Sequence, residues 1–180
     1  MKMIVSVSDE TKRNLEDLAD TDGIEAPKRA HQWLRKFVFD PPQQVPGGSS
    51  WVAQASALLA RKEMRVGTQT FTAEELETGM KRFAIPDGGD AVAGPNEIEV
   101  VFSRRLGDAL PMCLAYLDLG STADGRRQRG WNNAREFVEF LVAGRAAEDK
   151  TKEDAREAEE EETALYPAKA KKSKKEKGDA

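Results

Sequence analysis

The sequence predicts a mainly α protein: a strand-helix-helix unit, then a helical domain carrying one basic β-hairpin, then a charged tail. Three observations predict it. Apolar residues recur at three- and four-residue spacing from Leu15 to Leu141, behind polar residues suited to N-caps. Strict alternation is confined to the start, where Met3, Val5 and Val7 alternate with Lys2, Ile4 and Ser6. From about Asp149 the apolar pattern fades into Glu, Asp, Lys, Arg and Ala.

The bulk properties narrow the classes. The 180 residues make room for one ordinary domain, or two small ones and a tail, and 39% hydrophobic content supports a core. With 28 Lys and Arg against 32 Asp and Glu the formal charge is -4, so nucleic-acid binding would have to come from a local basic patch. The single cysteine, Cys113, excludes an internal disulfide framework and reads as a small core residue in a reducing compartment. No apolar run approaches membrane-spanning length and no signal-peptide core opens the chain. The expectation is a cytoplasmic protein of a bacterium or phage.

Residues 1–39 form the first unit. After the short strand, Ser8 or Asp9 caps a helix to about Asp20 with Leu15, Leu18 and Ala19 inward. Thr21-Asp22-Gly23 is a turn, and Pro27 suits the first turn of a second helix. Ala30, Trp33, Leu34, Phe37 and Val38 give that helix an apolar stripe. Residues 2–38, with the strand from Met3 to Glu10, Leu15-Glu-Asp-Leu18-Ala19, Gly23 and Leu34-Arg-Lys-Phe37-Val38, resemble the ribbon-helix-helix family of dimeric DNA-binding proteins. The resemblance implies strands paired across a homodimer, with Lys2 and Ser6 facing DNA. Ile4 is a poor base reader at the position between them, and Thr11 stands where the family prefers an apolar residue. The same residues also fit a small helical hairpin that dimerises or packs on the next domain.

Asp40-Pro41-Pro42 stops the second helix, and residues 40–50 have linker composition. The second domain, residues 51–147, opens with a helix capped by Ser49 or Ser50 and running to about Arg65, with Trp51, Val52, Ala55, Leu58 and Leu59 apolar. Val66 to Phe71 is a connector with room for a short strand. Thr72-Ala-Glu-Glu75 is a capping box for a helix carrying Leu76, Met80 and Phe83. The glycine-rich stretch 87–94 lacks the Gly-Lys-Ser/Thr ending of a phosphate loop and reads as a connector.

Residues 95–133 carry the chemistry. Asn96 caps a predicted helix whose Ile98, Phe102, Leu106 and Leu110 share one face, with Ser103, Arg104 and Arg105 on or beside the other. Residues 114–120 and 126–131 read as a hairpin with a basic return strand bearing Arg126, Arg127 and Arg129 and ending at Trp131. Asn132 or Asn133 caps a last helix. A helix with adjacent arginines followed by a basic hairpin is the arrangement of a winged helix-turn-helix. Residues 50–145 resemble the winged-helix domain behind the helicase module of phage and plasmid primase-helicases, through Thr72-Ala-Glu-Glu-Leu76, Phe102-Ser-Arg-Arg-Leu-Gly107 and Arg127-Gln-Arg-Gly-Trp131. The resemblance implies a free-standing module, since no Walker-type loop or primase carboxylate cluster precedes it.

Residues 148–180 read as a charged tail, disordered or begun by a continuation of the last helix as a solvated rod, with Glu159 to Glu162 ahead of six lysines between Lys169 and Lys177. It is solubilising, or offers a site for a protein partner or for phosphates. His31 is the only histidine, so a zinc site lacks ligands and a catalytic triad lacks context. No enzyme, cofactor or metal is expected. The leading expectation is a dimeric DNA-binding protein, a phage or plasmid regulator or replication accessory factor, contacting DNA through Lys2, Ser6, Ser103, Arg104, Arg105, Arg126, Arg127 and Arg129. The alternative is a non-catalytic protein-interaction module.

Overall fold

A computed structural model describes residues 1–40, 48–66, 69–86, 92–123 and 130–165. They form six helices and two two-stranded antiparallel sheets. The chain is mainly helical, as its periodicity predicts. No helix among the described residues is long and apolar enough to cross a membrane.

Strand β1 (Lys2–Ser6) leads into α1 (Asp9–Asp22). Ser8 is the cap: its Oγ accepts the Thr11 N–H at 3.1 Å. Gly23, at φ 63°, ends α1 in the left-handed conformation that glycine adopts without a Cβ clash, and its N–H returns to Ala19 O. Helix α2 (Ala26–Phe39) follows, with Pro27 in its first turn. The buried Arg29 ties the two helices together, donating to Leu18 O at 2.9 Å and to Asp22 Oδ2 at 2.7 Å. Helix α3 (Trp51–Arg61) ends at Lys62, whose φ of 65° turns the chain into strand β2 (Glu63–Val66). β2 pairs with β3 (Gln69–Thr72) in a hairpin. Residues 63–65, expected at the end of the preceding helix, are therefore strand, and the connector expected from Val66 to Phe71, with room for a short strand, holds most of the second one.

Thr72 starts α4 (Ala73–Arg82) with the predicted capping box: Thr72 Oγ1 accepts the Glu75 N–H, and Glu75 Oε2 accepts the Thr72 N–H. The next element departs from the expected helix. Residues Glu97–Val101 are strand β4, antiparallel to β1, with Met3 opposite Val100 and Val5 opposite Ile98. Ile98 and Phe102 satisfy a helical period, but Ile98, Val100 and Phe102 also satisfy a period of two, and all three are buried. The β-branched residues and the apolar face of β1 decide between the periods.

Helix α5 (Arg104–Ala123) begins only after β4 and is capped by Ser103, not by Asn96; Ser103 Oγ accepts from Leu106 N and its carbonyl from Gly107 N. It continues through the segment expected to be the first strand of a hairpin. Leu106, Ala109, Leu110, Cys113 and Leu114 are buried, so the apolar run belongs to a helix packed on α2, α3 and α4. The expected return strand, with Arg126, Arg127 and Arg129, lies outside the described residues. The α4–α5 contact is intimate: a Cβ on Gly79 would stand 2.8 Å from the Ala115 Cβ.

Helix α6 (Ala134–Leu165) starts at Asn133, whose Oδ1 accepts the Glu136 N–H at 3.0 Å. Hydrogen bonds from the Asn132 backbone and side chain hold the Glu136 carboxyl below its ordinary range. The first half of α6 buries Phe137, Val138, Val142 and Ala146. It then docks on α1, with Lys150 beside Asp17 and Glu153, and Trp33 of α2 donating to Asp149 at 3.0 Å. Residues 148–165, expected as a disordered tail or a solvated rod, are therefore the second half of this helix; 166–180 lie outside the described residues.

The expected division at residues 40–50 does not separate two cores. β1 pairs with β4 and α1 packs on α6, so Met3, Val5, Leu15 and Leu34 share one cluster with Leu58, Leu76, Leu110 and Phe137. The strand that the ribbon-helix-helix resemblance assigns to a dimer contact takes its partner from the same chain.

Candidate nucleic-acid interface

Helix α2 buries Arg29, Ala30, Trp33, Leu34 and Val38, and contacts α1, α3, α5, α6 and β4. One strip remains open to solvent, bearing Gln32, Arg35 and Lys36 at four- and three-residue steps. The first turn of α5 stands beside it. Between them lies a groove of about 750 Å³ lined by His31, Gln32, Arg35, Lys36, Phe39, Asp40, Ser103, Arg105 and Leu106.

Each wall is fixed from below. The Val101 carbonyl, on the outer edge of β4, accepts from His31 Nδ1 at 2.8 Å, and this bond pins the end of β4 to α2. Buried Phe102 and Leu106 then seat the start of α5 in the core. Arg105, one residue before Leu106, is turned outward and its guanidinium lies 4.6 Å from the Phe39 ring centroid. Arg104 is exposed at the first position of the helix.

The electrostatics are one-sided. Three side chains on the groove, Arg35, Lys36 and Arg105, are cationic and one, Asp40, is anionic. None of these cations, nor Arg104, forms an ion pair among the described residues. Elsewhere Lys2, Arg29, Arg82, Arg145, Lys150 and Lys152 each meet a carboxylate. The amino end of the 20-residue α5 adds the positive pole of its dipole. The arrangement holds anions: guanidinium and ammonium groups around a concavity, in a protein of net negative charge.

Of the sequence-predicted residues, Ser103 and Arg105 line the groove, Ser103 acting through its cap, and Arg104 is exposed between them in sequence without lining it. Lys2 and Ser6 do not join them. They lie on the outer face of the β1–β4 ribbon with Ile4, Glu97, Glu99 and Val101, and Lys2 Nζ is 3.1 Å from Glu99 Oε2. The Ser6 N–H donates to Glu139 of α6 at 3.0 Å. This face carries two acids against one lysine, so it does not suit phosphates. Arg35, Lys36 and Phe39 are the residues that sequence reasoning missed. Their signal is an open face of α2 without an acid from Lys28 to Lys36.

Burial pushes the Cys113 thiol up to about 12, which keeps it neutral. Among the described residues no three His, Cys, Asp or Glu side chains converge on a metal site. Comparison with protein-family models, with curated proteins and with solved structures returned no match to this chain.

Proposed function

We propose that the chain is a DNA-binding protein whose contact surface is the groove between α2 and α5. The observation that carries this reading is the group of three cations, Arg35, Lys36 and Arg105, that line one concavity without an ion pair among the described residues, with exposed Arg104 next to Arg105 in sequence. Phosphates would supply the anions that these cations lack among the described residues.

The test is fluorescence-anisotropy titration of labelled DNA against the full chain at several salt concentrations. The logarithm of affinity should fall linearly with the logarithm of salt. Arg35→Ala should weaken binding and reduce the slope by about one phosphate equivalent. Absence of binding at low salt refutes the proposal.

The alternative, a protein-interaction module, draws on a different surface. Phe140 of α6 is 50% exposed beside Trp131, at 5.8 Å between ring centroids. A protein partner recognised there would bind Arg35→Ala and wild type equally.

A further inference from the structure

The form of the groove bears on the kind of nucleic acid it takes. A helix that reads a duplex has to stand proud enough to enter a major groove about 12 Å wide. α2 does not stand proud. It is packed among α1, α3, α5, α6 and β4, and only its strip with Arg35 and Lys36 faces solvent. The first turn of α5 walls that strip on one side, so the cations line a hollow of about 750 Å³. A hollow of this size admits a nucleotide or two, and a double helix is too wide to enter it.

The hollow also carries a stacking surface. The Arg105 guanidinium carbon lies 4.6 Å from the Phe39 ring centroid, and Arg105 is an exposed residue. A guanidinium plane held against an aromatic ring is a platform for a base, and bases present their faces only when unpaired from a duplex stack. A simple anion site would need no such plane.

We infer that the α2–α5 groove binds a single nucleic-acid strand, with one base stacked on the Phe39-backed Arg105 plane and the flanking phosphates held by Arg35, Lys36 and Arg104. The inference rests on the nucleic-acid reading above and narrows it. A strand threaded along the hollow meets Arg35 and Lys36 on α2 and Arg105 on α5, with Arg104 exposed at the start of that helix. Stacking is tolerant of base identity, so the site is expected to discriminate strandedness more than sequence.

The experiment titrates the full chain with a labelled oligo-dT of about 12 nucleotides, an oligo-rU of the same length and a duplex with as many phosphates, each at two salt concentrations. The expected result is single-strand binding at least about tenfold tighter than duplex binding. The Arg105→Lys variant keeps the charge and loses the plane, so single-strand affinity should fall about tenfold with the salt slope unchanged. Phe39→Tyr should retain affinity and Phe39→Leu should lose it, with circular dichroism checking the fold of each variant. Duplex bound as tightly as single strand, or Arg105→Lys equal to wild type, overturns the inference and leaves the DNA-binding proposal standing. No binding of any of the three nucleic acids removes both. Preference for polyglutamate over the oligonucleotides overturns the inference in favour of an acidic protein ligand.

Discussion

Replacing Gly79 with alanine sets two opposed effects against each other, and the packing of α4 on α5 decides between them. Gly79 lies inside α4, where alanine is favoured over glycine by about 0.8–1.0 kcal/mol. Helix propensity alone therefore expects a more stable protein. The new methyl, however, would stand 2.8 Å from the Ala115 Cβ and 3.4 Å from its Cα. The first distance is about 0.7 Å short of the 3.5 Å at which carbon atoms begin to attract. The obstacle is a Cβ attached directly to the α5 backbone, so no side-chain rotation relieves it. The helices have to separate, and overpacking of this kind costs about 1–3 kcal/mol. The net expectation for Gly79→Ala is a loss of about 1 kcal/mol, measured as a lower urea midpoint at unchanged m-value. A double-mutant cycle sharpens it. Ala115→Gly is destabilising alone but should restore stability in the Gly79→Ala background, with a coupling energy of about 1–3 kcal/mol. A stabilised Gly79→Ala variant, or coupling within about 0.5 kcal/mol of zero, would refute the close-approach argument.

Other predictions address the rest of the molecule. Deleting residues 1–45 should abolish the cooperative thermal transition, because Met3, Val5, Leu15 and Leu34 belong to the common core; a truncated chain that still melts cooperatively contradicts this. Asp40→Asn removes the one carboxylate from the groove and should tighten DNA binding a few-fold at low salt, an effect read by anisotropy that vanishes at high salt. Glu153 is held below the ordinary carboxylate range, first by the Thr21 hydroxyl and then by Lys150. A lowered folded-state value means a contribution present above the unfolded value of about 4.3 and lost as pH falls through the folded one. Wild type should thus lose more thermal stability than Glu153→Gln between pH 6 and pH 3; equal losses would discount the α1–α6 clasp.

The helices legible in the sequence are those whose starts are written locally. Ser8, Pro27, the Thr72–Glu75 box and Asn133 act within one turn, so no distant partner is needed to find them. Ile98 to Phe102 was not legible because the same apolar spacing fits both periods, and the deciding contact, β1, lies more than ninety positions away. The run from Leu114 to Gly120 misled for a related reason. A helix surrounded by α2, α3 and α4 loses its polar face and resembles a buried strand. The candidate interface was half legible. Arg104 and Arg105 stand out as a pair, whereas Arg35 and Lys36 become their neighbours only when α2 and α5 meet in space. The ribbon cation Lys2 was legible as a charge, but not the Glu99 that answers it from the opposite strand.

The pairing of β1 with β4 also has a consequence in time. Lys2 and Glu99 are separated by 97 positions. At a ribosomal rate of about 5–20 residues per second, β1 emerges roughly 5–20 s before β4 exists. During that interval Met3-Ile-Val-Ser-Val7 is an apolar β-prone segment with no native neighbour, the kind of sequence that chaperones hold and that aggregates when concentrated. Closing so long a loop also slows the search for the native pairing. Synthesis of this chain is therefore most exposed at its beginning, and conditions that slow elongation between residues 10 and 97 should lower the yield of folded protein more than the same delay imposed after residue 101.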